Sequence, residues 1–225
     1  MPSKDAEQIL EKIRDAGYGE AYPGRNRARK PGWNRDPFHV LISTVLSQRT
    51  KDENTYNASK MLFSKYDTPS EVALAPLQEL EELVRPAGFP SAKASAIKEI
   101  ARMVHELHSD KVPKDIDILL TFPMVGRKTA NCVLAYAFGE DAICVDTHVH
   151  RISNRMGLVS TKDPEHTEMA LREVFPRRLW RDINKLLVVF GQEICRPRNP
   201  KCEECPVSSK CEYYVSLKAG DRLRG

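Results

Sequence analysis

Four cysteines near the end of the chain constrain it more than any other feature. Cys195, Cys202, Cys205 and Cys211 are spaced C-x6-C-x2-C-x5-C within seventeen residues, with Pro206 directly after the third. Thiols this close in sequence serve either as two disulfides or as ligands of one metal centre. The N-terminal stretch MPSKDAEQILEKIRDAG carries charges throughout and has no apolar core of an export signal, which points to a reducing compartment and so to a metal. Structural zinc usually draws on two pairs of ligands, each pair separated by two to four residues. Only Cys202 and Cys205 form such a pair, and the flanking gaps of six and five suit a larger group. A [4Fe–4S] cluster is the expected occupant, with zinc the alternative.

At 225 residues the chain is long enough for a substantial core in one or two lobes. No run approaches the roughly 18 apolar residues of a membrane span. Cys132 and Cys144 stand in apolar surroundings and read as buried thiols. The net charge of +4 argues only weakly for a polyanionic partner, but its distribution says more. Arg25, Arg27, Arg29, Lys30 and Arg35 crowd one Gly/Pro-containing loop, and Arg196, Arg198 and Lys201 fall within the first cysteine gap. Either group alone is compatible with a solvated surface; together with the motif below they suit contact with nucleic-acid phosphates.

Apolar residues recur at helical spacing in three stretches: Ile97, Ile100, Val104 and Leu107; Ala130, Val133, Leu134, Ala137 and Phe138; and Leu179, Ile183, Leu186, Leu187 and Phe190. Thr50-x-x-Glu53 and Thr68-Pro69-x-Glu71 read as capping boxes opening two more helices. Apart from a short extended stretch at 142–145, strand alternation is missing, and there is no repeat at solenoid spacing. The expected fold class is all-α, built from many short helices.

The chemistry concentrates between residues 113 and 151. A short helix is expected to open at about Asp115, and Phe122-Pro123-Met124-Val125-Gly126-Arg127-Lys128 then makes a tight turn into the next helix. Backbone N–H groups at such a helix start suit one phosphate, although the turn alone is equally an ordinary helical hairpin. Lys128 falls in the first turn of that helix beside Arg127, where the macrodipole disfavours a cation. A nucleophilic lysine needs such depression, since an unperturbed amine is neutral less than about one time in a thousand at pH 7. Eighteen residues on, Asp146 precedes the apolar set Val149, Ile152 and Met156. It reads as a helix N-cap, a role compatible with facing a pocket.

The segments FPMVGRKTANCVLAYAFG and VDTHVHRISNR, followed by the cysteine pattern in the same order, resemble the endonuclease III family of helix–hairpin–helix DNA glycosylases. The resemblance runs from about Pro37 to Cys211. It implies a two-lobed fold: a six-helix barrel lobe over about 30–142 with the hairpin at about 115–138, and an iron–sulfur lobe of residues 1–29 with 143–225. It implies a bifunctional DNA glycosylase and AP lyase that removes oxidised pyrimidines from double-stranded DNA after flipping the damaged nucleotide. Lys128 matches the nucleophile that attacks C1′, and Asp146 the carboxylate that steadies the positive charge developing on the sugar. The four cysteines match the cluster ligands. Val125, Gly126, Arg127, Arg196, Arg198 and Lys201 fall where the family contacts the DNA backbone; His148 is either another contact or structural. A monomer is expected, located with the DNA: in the cytoplasm of a prokaryote or the nucleus of a eukaryote.

Two departures stand out. Met124 replaces the first glycine of the family's Leu-Pro-Gly-Val-Gly turn, and costs on the order of 1 kcal/mol if the position needs φ > 0. The family's Ser-x-Gln-x-Thr segment is Ser47-Gln48-Arg49-Thr50 here, so either Gln48 or Arg49 fills the gap left by the flipped base. Phe89, between Gly88 and Pro90, is either the wedge that enters the base stack or a core aromatic. Lys128 argues against a monofunctional thymine, uracil or adenine mismatch glycosylase. A metal-stabilised, non-enzymatic DNA-binding module would need neither Lys128 nor Asp146.

Overall fold

In the computed structural model of the protein, residues 3–18 and 36–222 are described. Arg25, Arg27, Arg29, Lys30 and Arg35 lie outside the described residues. The chain divides into two compact units: the described residues of one fall within Trp33–Glu140, those of the other within Met1–Gly32 and Asp141–Gly225. Among the described residues every regular element is helical.

The unit within Trp33–Glu140 contains α2 (Pro37–Leu46), α3 (Asp52–Phe63), α4 (Pro69–Leu74), α5 (Leu77–Val84), α6 (Pro90–His108), α7 (Ile116–Leu119) and α8 (Arg127–Tyr136). Helix α2 is largely apolar and buried from Val40 to Leu46, which makes it the central element. It packs against α3, α6 and α8, while α6 also holds α4 and α5. Their shared core includes Leu41, Ile42, Leu62, Leu80, Ile97, Ile100 and Val133. The N-terminus of α4 follows the sequence expectation: Thr68 and Glu71 form a reciprocal capping box with Pro69 in the first turn. Asp115 caps α7 by accepting from the N–H groups of Asp117 and Ile118.

The expectation of a second capping box at Thr50–Glu53 is corrected. The N-cap of α3 is Lys51, with no side-chain cap hydrogen bond. The Thr50 hydroxyl is engaged elsewhere, donating to the carbonyls of Gln48 and Ala87. The apolar stripe of α6 also stops earlier than its spacing suggested, since Leu107 is 64% exposed.

The other unit contains α1 (Ser3–Asp15), α9 (Thr147–Arg155), α10 (Pro164–Val174), α11 (Trp180–Glu193) and α12 (Glu212–Arg222). Helix α11 packs against both α1 and α9. Close approach of α9 and α11 depends on Gly191: a Cβ there would lie 2.6 Å from His148 Nδ1 and 2.8 Å from Ile152 Cδ1. Residues 142–145 are all buried but pair with no strand. The Asn184 amide of α11 donates to the Cys144 carbonyl at 2.8 Å, so a side chain satisfies backbone that a sheet would otherwise pair.

Candidate active site and iron–sulfur centre

Helices α7 and α8 form the hairpin, joined by the turn Phe122–Gly126. Phe122 and Val125 anchor the turn in the core. Met124 adopts φ 59°, the left-handed conformation that explains why a glycine suits this position. The N-cap of α8 is Gly126, which offers no side chain to the first N–H groups of the helix, and no acidic residue stands in the first turn. Those N–H groups and the helix dipole make an anion site of the turn. Lys128 occupies the second position of α8 and is exposed.

In the other unit, Asp146 is half-buried at the N-cap of α9. Its Oδ1 accepts from the N–H groups of His148 and Val149, both at 2.9 Å. Oδ2 makes no hydrogen bond among the described residues, so the carboxylate is fixed by one oxygen while the other is available. Behind it, Arg151 Nη2 donates to His148 Nδ1 at 3.1 Å. Burial pushes the His148 pKa down from its ordinary value; the Asp146 carboxylate opposes this shift and the Arg151 guanidinium adds to it.

Cys195, Cys202, Cys205 and Cys211 line one cavity with Met156, Phe190, Ile194 and Tyr214. None of the six cysteines is in a disulfide. All four cysteines thus share the lining of a single cavity. Such a donor set fits a cubane with one thiolate at each iron. Burial pushes the thiols of Cys202, Cys205 and Cys211 up, Cys205 to about 11, so the metal must supply the drive for deprotonation. Arg155 lies beside the centre, with Nη1 3.8 Å from Cys195 Sγ and its guanidinium stacked on Tyr213 at 4.6 Å.

Two arginines of α9 tie down the loop that follows Cys195. Arg151 Nη2 donates to the carbonyls of Gly191 and Cys195, at 3.2 and 2.8 Å. Arg155 donates to the carbonyls of Arg196 and Pro197, at 2.7 and 2.9 Å. With their backbone held this way, Arg196 and Arg198 remain exposed, while Lys201 pairs with Glu204 at 3.0 Å.

In the Trp33–Glu140 unit the Gln48 and Arg49 side chains part company. Gln48 Nε2 donates to the Met124 carbonyl at 2.7 Å, joining its turn to the hairpin. Arg49 is exposed at φ 51°, and Phe89 is 62% exposed at φ 50°. Phe89 is therefore not a core aromatic. Both turns meet at Lys93, which sequence reasoning missed. Its side chain is 1% exposed, and Nζ lies within 2.8–2.9 Å of Leu46 O, Gln48 O, Thr50 Oγ1 and Ala87 O. Burial pushes its pKa down. The signal was a lysine four residues before Ile97, on the apolar stripe of α6, where a core residue belongs.

A hairpin with an uncapped helix start, an N-capping aspartate and a four-cysteine cavity define a helix–hairpin–helix protein of DNA base excision repair. Residues 42–177 match the HhH-GPD superfamily of base excision DNA repair proteins, and residues 195–211 the iron–sulfur binding domain of endonuclease III. The chain is 53% identical over 186 residues to endonuclease III of Thermotoga maritima, covering 83% of this chain and 87% of that one. Its structure resembles that of a trapped endonuclease III–DNA covalent intermediate, an estranged-adenine complex, with a TM-score of 0.85 at 32% identity over 97% of this chain and 99% of that one. A thermostable thymine-DNA glycosylase is less similar, with a TM-score of 0.76 at 28% identity over 95% and 97%. The chain belongs to the endonuclease III family and carries its [4Fe–4S] iron–sulfur domain, whose matched residues 195–211 span the four cysteines.

Proposed function

We propose that this protein is a DNA glycosylase and AP lyase that excises oxidised pyrimidines from double-stranded DNA. The observation that carries the proposal is the Lys128 amine, exposed in the first turn of α8 directly after the hairpin turn. Neutral Lys128 attacks C1′ of the damaged nucleotide; the glycosidic bond breaks and the base departs with the bonding pair, taking a proton from solvent. The bound nitrogen gives up one proton to solvent, and its lone pair then forms the C1′=N bond as the C1′–O4′ bond breaks and O4′ takes up a proton, leaving an open sugar held as a protonated imine. Removal of a C2′ proton then expels the 3′ phosphate, cutting the strand 3′ to the lesion. The Asp146 carboxylate, held at Oδ1 and available at Oδ2, stabilises the oxocarbenium-like charge on the sugar while the base leaves.

The remaining residues bind and open the duplex. Val125, Gly126 and Arg127 present the hairpin turn to one phosphate, and Arg196, Arg198 and Lys201 contact others from the loop that the cluster shapes. His148 supplies a further phosphate contact. Phe89 enters the base stack, and Arg49, unlike the inward-tied Gln48, fills the gap beside the estranged base. The [4Fe–4S] group supplies a rigid template for the loop between its first two ligands.

The test is a panel of duplexes carrying thymine glycol, dihydrouracil, uracil opposite guanine and thymine opposite guanine, assayed at fixed salt. Base release coupled to nicking on the first two is the expected result. Base release without a nick, confined to the mismatches, would replace this reading with a monofunctional enzyme, and binding alone with a non-enzymatic module.

A further inference from the structure

Lys93 has an unusual set of partners. It is a fully buried ammonium whose neighbours at Nζ are three backbone carbonyls and one hydroxyl, with no carboxylate among them. A core position on the α6 stripe would ordinarily hold leucine or methionine, and a buried charge persists only where its hydrogen bonds are complete. Three N–H donors shared among four oxygens meet that condition.

The identity of those oxygens gives the residue its significance. Gln48 O and Thr50 Oγ1 belong to the residues on either side of Arg49. Ala87 O lies two residues before Phe89, and Lys93 stands four residues after it on the helix that Phe89 starts, its own N–H donating to Phe89 O at 3.0 Å. A single ammonium therefore brackets two exposed side chains, each on a left-handed backbone that costs on the order of a tenfold population penalty to hold. Leu46 O, the last carbonyl of α2, ties the assembly to the central helix. The Thr50 hydroxyl closes the ring by donating to Ala87 O.

We propose that Lys93 is a positioning residue that joins the Arg49 turn and the Phe89 turn into one rigid device for extruding the damaged nucleotide. This rests on the base-flipping reading above and adds to it. A wedge and a plug act on the same base step, so a hinge between them would let each enter without the other. The lysine removes that hinge. It touches neither DNA nor the reacting atoms, and its effect belongs to duplex opening rather than to chemistry at C1′.

The experiment compares wild type, Lys93→Met and Thr50→Val on two substrates under single-turnover conditions: a duplex containing dihydrouracil, and a single-stranded oligonucleotide with a preformed abasic site. Methionine preserves the apolar stem and removes the donors. Duplex processing by Lys93→Met should fall about 10- to 100-fold, the range open to a step that opposes unstacking, while single-strand nicking stays within about threefold of wild type. Thr50→Val removes one acceptor and should show a smaller loss with the same substrate bias; it carries the test alone if Lys93→Met fails to fold. Equal losses on both substrates, or none, would overturn the inference and leave the glycosylase reading standing. Wild-type protein that nicks neither substrate would sink that reading and this inference with it.

Discussion

The two units hold their functional loops by different means. In the Trp33–Glu140 unit, Arg49, Phe89 and Met124 all adopt positive φ, and side-chain hydrogen bonds hold their turns: the buried Lys93 ammonium for the first two, and the Gln48 amide on Met124 O for the third. In the other unit, the loop after Cys195 is held by Arg151 and Arg155 reaching from α9, and it borders the cysteine cavity, where burial pushes the Cys202, Cys205 and Cys211 thiols up. One unit holds these turns with its own hydrogen bonds and the other is completed by its cluster. Loss of metal should therefore unmake one set of DNA contacts and leave the other intact.

The largest effect expected from this contrast is at Cys205. Cys205→Ser removes a cluster ligand, and the purified variant should lose the broad absorbance near 400 nm that thiolate–iron charge transfer gives. Its duplex affinity should fall by 10-fold or more, as the usual scale for a disturbed metal site. Cys132→Ser and Cys144→Ser should keep the colour. An uncoloured wild type with stoichiometric zinc, even when prepared anaerobically, would remove the basis of the comparison.

Asp146→Asn comes next. Asparagine is nearly as good an N-cap, so α9 should persist while the negative charge is lost. Base release should slow by roughly 100-fold, the common scale for one preorganised electrostatic group. Nicking at a preformed abasic site, where no glycosidic bond remains, should survive. Gly191→Ala should be smaller, destabilising by about 1–3 kcal/mol through overpacking against His148 and Ile152. Calorimetry that showed no change in the melting of the cluster-bearing unit would mean that α9 and α11 do not depend on this close approach.

The smallest effect is the pH dependence carried by His148. Its folded pKa lies below the ordinary value of about 6.5 because burial disfavours the imidazolium. The unfolded chain binds a proton there that the folded chain refuses, so stability is full above about pH 6.5 and declines as the pH falls below it. Denaturant titrations of wild type and His148→Gln at several pH values should differ in slope only in that acidic window. Identical slopes would place the imidazole in an environment more open than the α9–α11 contact.

Much of this was legible before the structure. The hairpin, the Asp146 cap and the cysteine set each depend on residues close in sequence, and the Thr68–Glu71 box needs only its own four residues. The Met124 departure was readable because a turn of known type specifies the sign of φ at one position. What stayed hidden is non-local. Thr50 resembles a cap, but its hydroxyl is drawn to Ala87 and Lys93, 37 and 43 residues away. Residues 142–145 look like a strand because they are apolar, whereas Asn184 supplies the hydrogen bond a strand partner would. Lys93 reads as a surface lysine until the two turns around it are assembled. The choice between Gln48 and Arg49 likewise required the Met124 carbonyl to come into reach.

The central claim is that Lys128 forms the covalent bond to DNA, and borohydride trapping tests it most directly. Borohydride reduces an imine to a stable amine, so wild-type protein mixed with dihydrouracil duplex should become permanently cross-linked to the strand. Lys128→Gln should bind the same duplex and give neither cross-link nor nick, because an amide nitrogen cannot form the imine. Persistent cross-linking by that variant through another amine, such as Lys51, would contradict the assignment. Undiminished base release would contradict it as well, pointing to attack by water.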